Sequence, residues 1–78
     1  MTKATLITAL QALGVKPSAY ALDGSLDPDS IVLYQNYSIW EVFYHDERGG
    51  RNDVRMHPSE ADACTDILNR FKRTHRAK

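Results

Sequence analysis

Ile39-Trp40-Glu41-Val42-Phe43-Tyr44-His45 decides the fold. The stretch is rich in β-branched and aromatic residues and free of Gly and Pro, which predicts a strand. A period of two divides it into Trp40, Val42 and Tyr44 on one side and Ile39, Glu41, Phe43 and His45 on the other. The charge of Glu41 marks the second side as the wetter one, so Trp40, Val42 and Tyr44 are the expected core side. Phe43 and Ile39 then stand on an open sheet face with Glu41 between them, where apolar residues beside an acid make a candidate contact surface.

Working outward, Ser30 to Tyr37 carries Ile31, Val32, Leu33 and Tyr34 and reads as a second strand, joined to the first by a reversal at Asn36-Tyr37-Ser38. After His45, the polar run Asp46-Glu47-Arg48-Gly49-Gly50-Arg51-Asn52 reads as a connection, and Val54 to His57 as a short last strand ended by Pro58. Upstream, Tyr20-Ala21-Leu22 fits a short strand, and the turn residues from Asp23 to Ser30 predict a loop or wide hairpin. The ends of the chain read as helices. From Thr2 to Leu13, Leu6, Leu10 and Leu13 recur at helical spacing, with Gly14 and Pro17 as stop signals. From Ser59, an N-cap candidate, Cys64, Ile67, Leu68 and Phe71 form an apolar stripe. The order α-β-β-β-(β)-α predicts an α+β fold: a three- to four-stranded antiparallel sheet with both helices on one face. Residues 1–71 are read as one domain and residues 72–78 as a basic, flexible tail.

The 78 residues suit one small domain, and 42% hydrophobic with 26% charged residues is an ordinary globular composition. A single cysteine excludes an internal disulfide framework and multi-cysteine zinc modules. No apolar run approaches the ~18 residues of a membrane span, and the N-terminus leads into amphipathic sequence rather than a signal-peptide core. The expected compartment is therefore the cytoplasm. Ten Lys and Arg cancel ten Asp and Glu, but unevenly. Ser18 to Glu47 holds Asp23, Asp27, Asp29, Glu41, Asp46 and Glu47 without a Lys or Arg, whereas Arg70 to Lys78 holds Arg70, Lys72, Arg73, Arg76 and Lys78 without an acid. Segregation of this kind steers charged partners even at zero net charge, although turn-forming Asp and helix-terminal bases produce the same split locally.

Catalytic chemistry finds little support. His45, His57, Cys64 and His75 are scattered over different elements and lack zinc-ligand spacing. Cys64 with His57 could be drawn as a thiolate and base, but Cys64 lies on the apolar stripe of its helix. Gly49-Gly50 is a reversal, not a phosphate loop, and no nucleophile elbow is present. The expectation is a non-enzyme with no cofactor and no metal. Nucleic-acid binding is the alternative. The element order is that of the double-stranded-RNA-binding domain, but where that domain carries lysines this chain reads Ser59-Glu60-Ala61-Asp62-Ala63. Arg48, Arg51, Arg55 and the tail could still touch phosphate. Self-pairing of the open sheet face is a third reading.

Trp40 to Gly49 (Trp-Glu-Val-Phe-Tyr-His-Asp-Glu-Arg-Gly) resembles a segment of small bacterial immunity-type proteins encoded beside polymorphic or contact-dependent-inhibition toxins. Leu13-Gly14-Val15, Tyr20-Ala21-Leu22-Asp23-Gly24, Ser59-Glu60 and Ala63-Cys64 extend the likeness, which covers Ala4 to Phe71 and omits the basic tail. The resemblance implies binding of a cognate toxin domain and blockage of its active site or substrate groove. Many such toxins are nucleases with basic clefts, to which an acidic surface is drawn. The expected partner-binding residues are Asp23, Asp27 and Asp29 in the first loop, Glu41 and Phe43 on the open face, and Asp46 and Glu47 in the second loop.

Overall fold

The computed structural model describes residues 1–75. Helix α1 (Lys3–Ala12) is followed by a single 3-10 turn (Pro17–Ala19), strands β1 (Tyr20–Ala21), β2 (Ser30–Asn36), β3 (Ile39–His45) and β4 (Arg51–His57), and helix α2 (Glu60–His75). The fold is α+β, with helices and sheet in contact.

Both helix starts are capped by side chains. The Thr2 hydroxyl accepts the Thr5 N–H at 3.2 Å, and the Ser59 hydroxyl accepts the Asp62 N–H at 3.2 Å. α1 ends in a full Schellman motif: the Gly14 N–H reaches the Gln11 carbonyl and the Val15 N–H the Leu10 carbonyl, both at 3.0 Å. Gly14 adopts φ 81°, a left-handed conformation that only glycine enters without strain. The two helix starts meet where the Lys3 N–H donates to Glu60 Oε1. α2 continues through His75, so residues 72–75 extend the helix rather than start a tail; positions 76–78 of the expected tail lie outside the described residues.

The strands lie in sequence order, β1-β2-β3-β4. β2–β3 and β3–β4 are antiparallel, but β1 runs parallel to β2, with Tyr20 beside Ile31 and Ala21 beside Val32. The sheet is therefore mixed, not wholly antiparallel as expected. The reason is the loop of residues 22–29. Instead of reversing the chain as a hairpin, it crosses the sheet and brings β2 back in the direction of β1. Its contacts trace the crossing: the Asp27 carbonyl lies 3.0 Å from His45 Nδ1 and accepts the Ser30 hydroxyl at 2.7 Å, and a Cβ at Gly24 would stand 3.4 Å from the Tyr34 ring.

The helices cover one face. Leu6 and Leu10 from α1, Leu33 and Val42 from the sheet, and Ala63, Cys64, Ile67, Leu68 and Phe71 from α2 share one buried core, with Trp40 packed at its margin. Val42 and Trp40 thus face the helices as expected, whereas Tyr44 sits half-buried at the strand end. On the opposite face Ala21, Val32 and Phe43 form a second, smaller buried cluster in one row across three strands.

β4 begins at Arg51, earlier than the expected Val54, and carries a β-bulge. Val42 pairs with Arg55 and Tyr44 with Asn52, so Asp53 and Val54 together oppose Phe43. Asp53 adopts φ 54°. Its carbonyl accepts Arg70 Nη2 at 2.8 Å, and the same nitrogen lies 3.4 Å from the Val42 carbonyl. Arg70 is in turn held by Asp66, which also binds His57. A buried arginine of α2 thereby satisfies the backbone group that the bulge exposes.

Candidate partner-binding surface

The expected site residues divide into two groups. Phe43 is not on the surface: its exposure is 0%. The loop of residues 22–29 closes over its face of the sheet from one side, and from the other the Arg51 guanidinium lies 4.7 Å from the Phe43 ring centroid. Glu41 is 7% exposed. Its carboxylate stands 3.9 Å from Arg51 Nη1 and accepts Asn36 Nδ2 at 3.4 Å, so its charge is spent inside the sheet. Both residues are removed from the expected contact surface, because Arg51 of the neighbouring strand reaches over both, joined by the 22–29 loop at Phe43 and by Asn36 at Glu41.

Four of the five loop acids gather at the end of β3. Asp29, in a left-handed conformation at φ 55°, aims its carboxylate back so that Oδ1 accepts the Tyr44 hydroxyl at 2.8 Å. That hydrogen bond, with partial burial and the charges of Asp29, Asp46 and Glu47, holds the Tyr44 phenol above its ordinary range. Asp46 organises the β3–β4 turn. Its carboxylate accepts from Asn52 Nδ2 (3.0 Å) and from the N–H groups of Gly50 (2.8 Å) and Arg48 (2.9 Å). The hydrogen bonds from Asn52 and Gly50 hold it below the usual carboxylate range, keeping it charged. Glu47 is exposed at the tip of the same turn, and exposed Asp27 abuts His45 through its carbonyl.

Asp23 stands apart. It forms a local turn in which Oδ1 accepts the Ser25 N–H at 3.1 Å, and hydrogen bonds from Ser25 keep its carboxyl low. The charge of Lys3 acts on it as well.

Part of the sheet face does remain open, at the other end of β3. Tyr34, Ile39, Val54 and Met56 share the face of Glu41 and are exposed, Met56 to 65%, and Tyr37 in the β2–β3 turn is 93% exposed. Of these, only Ile39 was placed on an open face by the sequence. Carrying the alternation of β3 across the Asn36-Tyr37-Ser38 reversal assigns Tyr34 to the same side. Val54 and Met56 fall inside the expected last strand, but their face follows from the bulged register against β3, which alternation within β4 alone does not reveal.

The imagined thiol–imidazole pair does not form: Cys64 is fully buried and His57 Nε2 is bonded to Asp66 at 2.8 Å. Burial and the neighbouring Glu60 charge push the thiol upward, away from the reactive thiolate. Among the described residues no three His, Cys, Asp or Glu side chains converge as metal ligands, and no helix is long and apolar enough to cross a membrane. No family model matches the chain, and no curated protein or solved structure matches it either.

Proposed function

We propose that this chain is a protein-docking module of the immunity type, which neutralises a cognate toxin domain by occupying a basic surface on it. The observation that carries this reading is the gathering of Asp29, Asp46 and Glu47 about Tyr44, with Asp27 alongside. Carboxylates concentrated at one end of a small molecule draw in a basic partner and accelerate encounter. Tyr44 adds the kind of amphipathic ring that anchors interfaces once they close. The toxin as partner rests on the sequence resemblance; a nuclease with a basic substrate cleft is the type to which such a surface is complementary. The work requires no catalytic group of the chain's own, and it belongs in the cytoplasm, where a lone cysteine stays reduced.

Co-expression with the toxin domain encoded immediately upstream tests the reading. Restored growth and a stable complex on size exclusion are expected. Reversing two exposed acids, Asp27→Lys with Glu47→Lys, is expected to slow association by about tenfold at low salt while the melting temperature stays within 2 °C or so. Failure of the unaltered chain to form a complex or to restore growth overturns the proposal.

A further inference from the structure

Between α2 and the helix-facing side of β4 lies a recess of about 410 Å³ lined by Arg55, Asp66, Asn69, Lys72 and Arg73. Two periodicities build it. Asp66, Asn69 and Arg73 are spaced by three and four residues along α2 and share one face, with Lys72 beside them. Arg55 stands opposite Val42 in the β3–β4 ladder, on the side of the sheet that the helices cover. The charges in the recess do not cancel. Asp66 is already engaged, accepting from Arg70 Nε at 3.0 Å and lying 2.8 Å from His57 Nε2. Arg55, Lys72 and Arg73 are exposed, and among the described residues none of them makes an ion pair. Three uncompensated cations around one concavity repel each other, and a bound polyanion would relieve that repulsion.

We propose that this recess binds the phosphodiester backbone of a nucleic-acid duplex, a second surface that shares no residue with the acidic end of the sheet. The lining selects the ligand. No apolar or aromatic side chain is among it, so it lacks the buried anchors that carry protein–protein affinity and the stacking platform that single strands need. What it offers is donors. The guanidinium forks of Arg55 and Arg73 match phosphate oxygens in pairs, Lys72 adds a point charge, and the Asn69 amide can donate. A duplex presents one charge per roughly 1.7 Å of its axis, so several phosphates can meet the three cations while the bases stay turned away. The chain continues from Arg73 through Arg76 and Lys78 with no acid after Asp66, so no carboxylate in sequence interrupts the positive run. Recognition of this kind positions a backbone and reads no sequence.

The test is fluorescence anisotropy of a labelled 20-base-pair duplex, DNA or RNA, titrated with the full chain between 50 and 200 mM salt. With three phosphates neutralised, log affinity is expected to fall against log salt with a slope near −3, from about −0.9 per contact. Arg55→Ala and Lys72→Ala are each expected to reduce that slope by about 1. The triple variant with Arg73→Ala should lose binding while its circular dichroism and urea midpoint stay unchanged. A slope unaltered in Arg55→Ala, or a triple variant that binds like the parent, overturns the proposal. So does displacement of the duplex by polyglutamate at equal charge concentration, which would assign the recess to acidic proteins, or saturation by inorganic phosphate with no duplex binding. Because the two surfaces share no residue, failure here leaves toxin docking standing, and the reverse is equally true.

Discussion

Arg70 is a buried polar side chain that joins two elements. Its guanidinium joins Asp66 to the carbonyl of Asp53, with Val42 and the Asp53 carboxylate also in range, and so ties α2 to the bulge in β4. Replacing it with alanine leaves the mostly buried Asp66 carboxylate with His57 as its remaining partner and the part-buried Asp53 carbonyl without its donor. Arg70→Ala is expected to cost about 3 kcal/mol, read from the urea midpoint, because uncompensated buried charge is far costlier than a lost surface pair. Lysine should recover little, since one ammonium cannot reproduce the fork. The same network has a pH signature. Burial pushes the Asp66 carboxyl up, but hydrogen bonds and charge from Arg70 and His57 outweigh it and hold the carboxyl below its ordinary value. A folded-state value below the unfolded one means the contribution is present above pH ~4 and is lost as pH falls through the folded value. Asp66→Asn should therefore flatten the acid limb of the stability curve below about pH 4, in addition to lowering stability at neutral pH.

Among elements, the helices were legible because their signals are local. Gly14 and Ser59 act through backbone groups no more than four residues away, so sequence order alone placed those two caps, whereas Thr2, read as the first helical residue, is the N-cap of α1. Gly14 makes the point measurable. A Cβ there would meet nothing within 4 Å, so the sole obstacle to a side chain is its φ of 81°. Gly14→Ala is expected to cost about 1–2 kcal/mol, or roughly 4–16 °C in melting temperature for a domain of this size, and Gly14→Asn less. An unchanged melting temperature would mean that the Schellman geometry is not needed. The strands were legible in type, and β2 and β3 nearly in limits as well, but the start of β4 was not. Arg51 and Asn52 look like loop residues by composition, yet they pair with His45 and Tyr44 because β3 supplies partners for them. The parallel direction of β1 was beyond local reading, because the turn residues of 23–29 serve a hairpin and a crossing loop equally well.

For the whole molecule, the sheet separates two buried clusters, the larger under the helices and the smaller row of Ala21, Val32 and Phe43 behind it. Phe43 and Cys64 lie on opposite sides of that division, both with no exposed surface. Phe43→Ala is expected to cost about 3–4 kcal/mol through the cavity it leaves, a large share of the 5–15 kcal/mol typical of small domains. If the domain unfolds as one cooperative unit, thiol labelling of Cys64 should accelerate by roughly 100- to 700-fold in the same variant, matching the change in stability. Labelling that stays at the parent rate would mean that the two faces open independently. The acidic end around Tyr44 and the basic recess around Arg55 are likewise properties of the assembled molecule. Each draws on elements far apart in sequence, β3 with two loops in one case and β4 with α2 in the other.

Sequence by itself determined the element order, the caps at Gly14 and Ser59, the α+β class and the segregation of acids from bases, because periodicity, turn chemistry and charge act over a few residues. It also singled out the acids of the two loops, since Asp in turns is conspicuous. Tertiary structure alone decided which of those acids meet, and that Phe43 and Glu41 are withdrawn from the surface. An alternating strand pattern reveals which residues share a face but not what lies over that face, and here a crossing loop and the Arg51 side chain cover it. Coverage depends on contacts between residues distant in the chain, and no local signal encodes those.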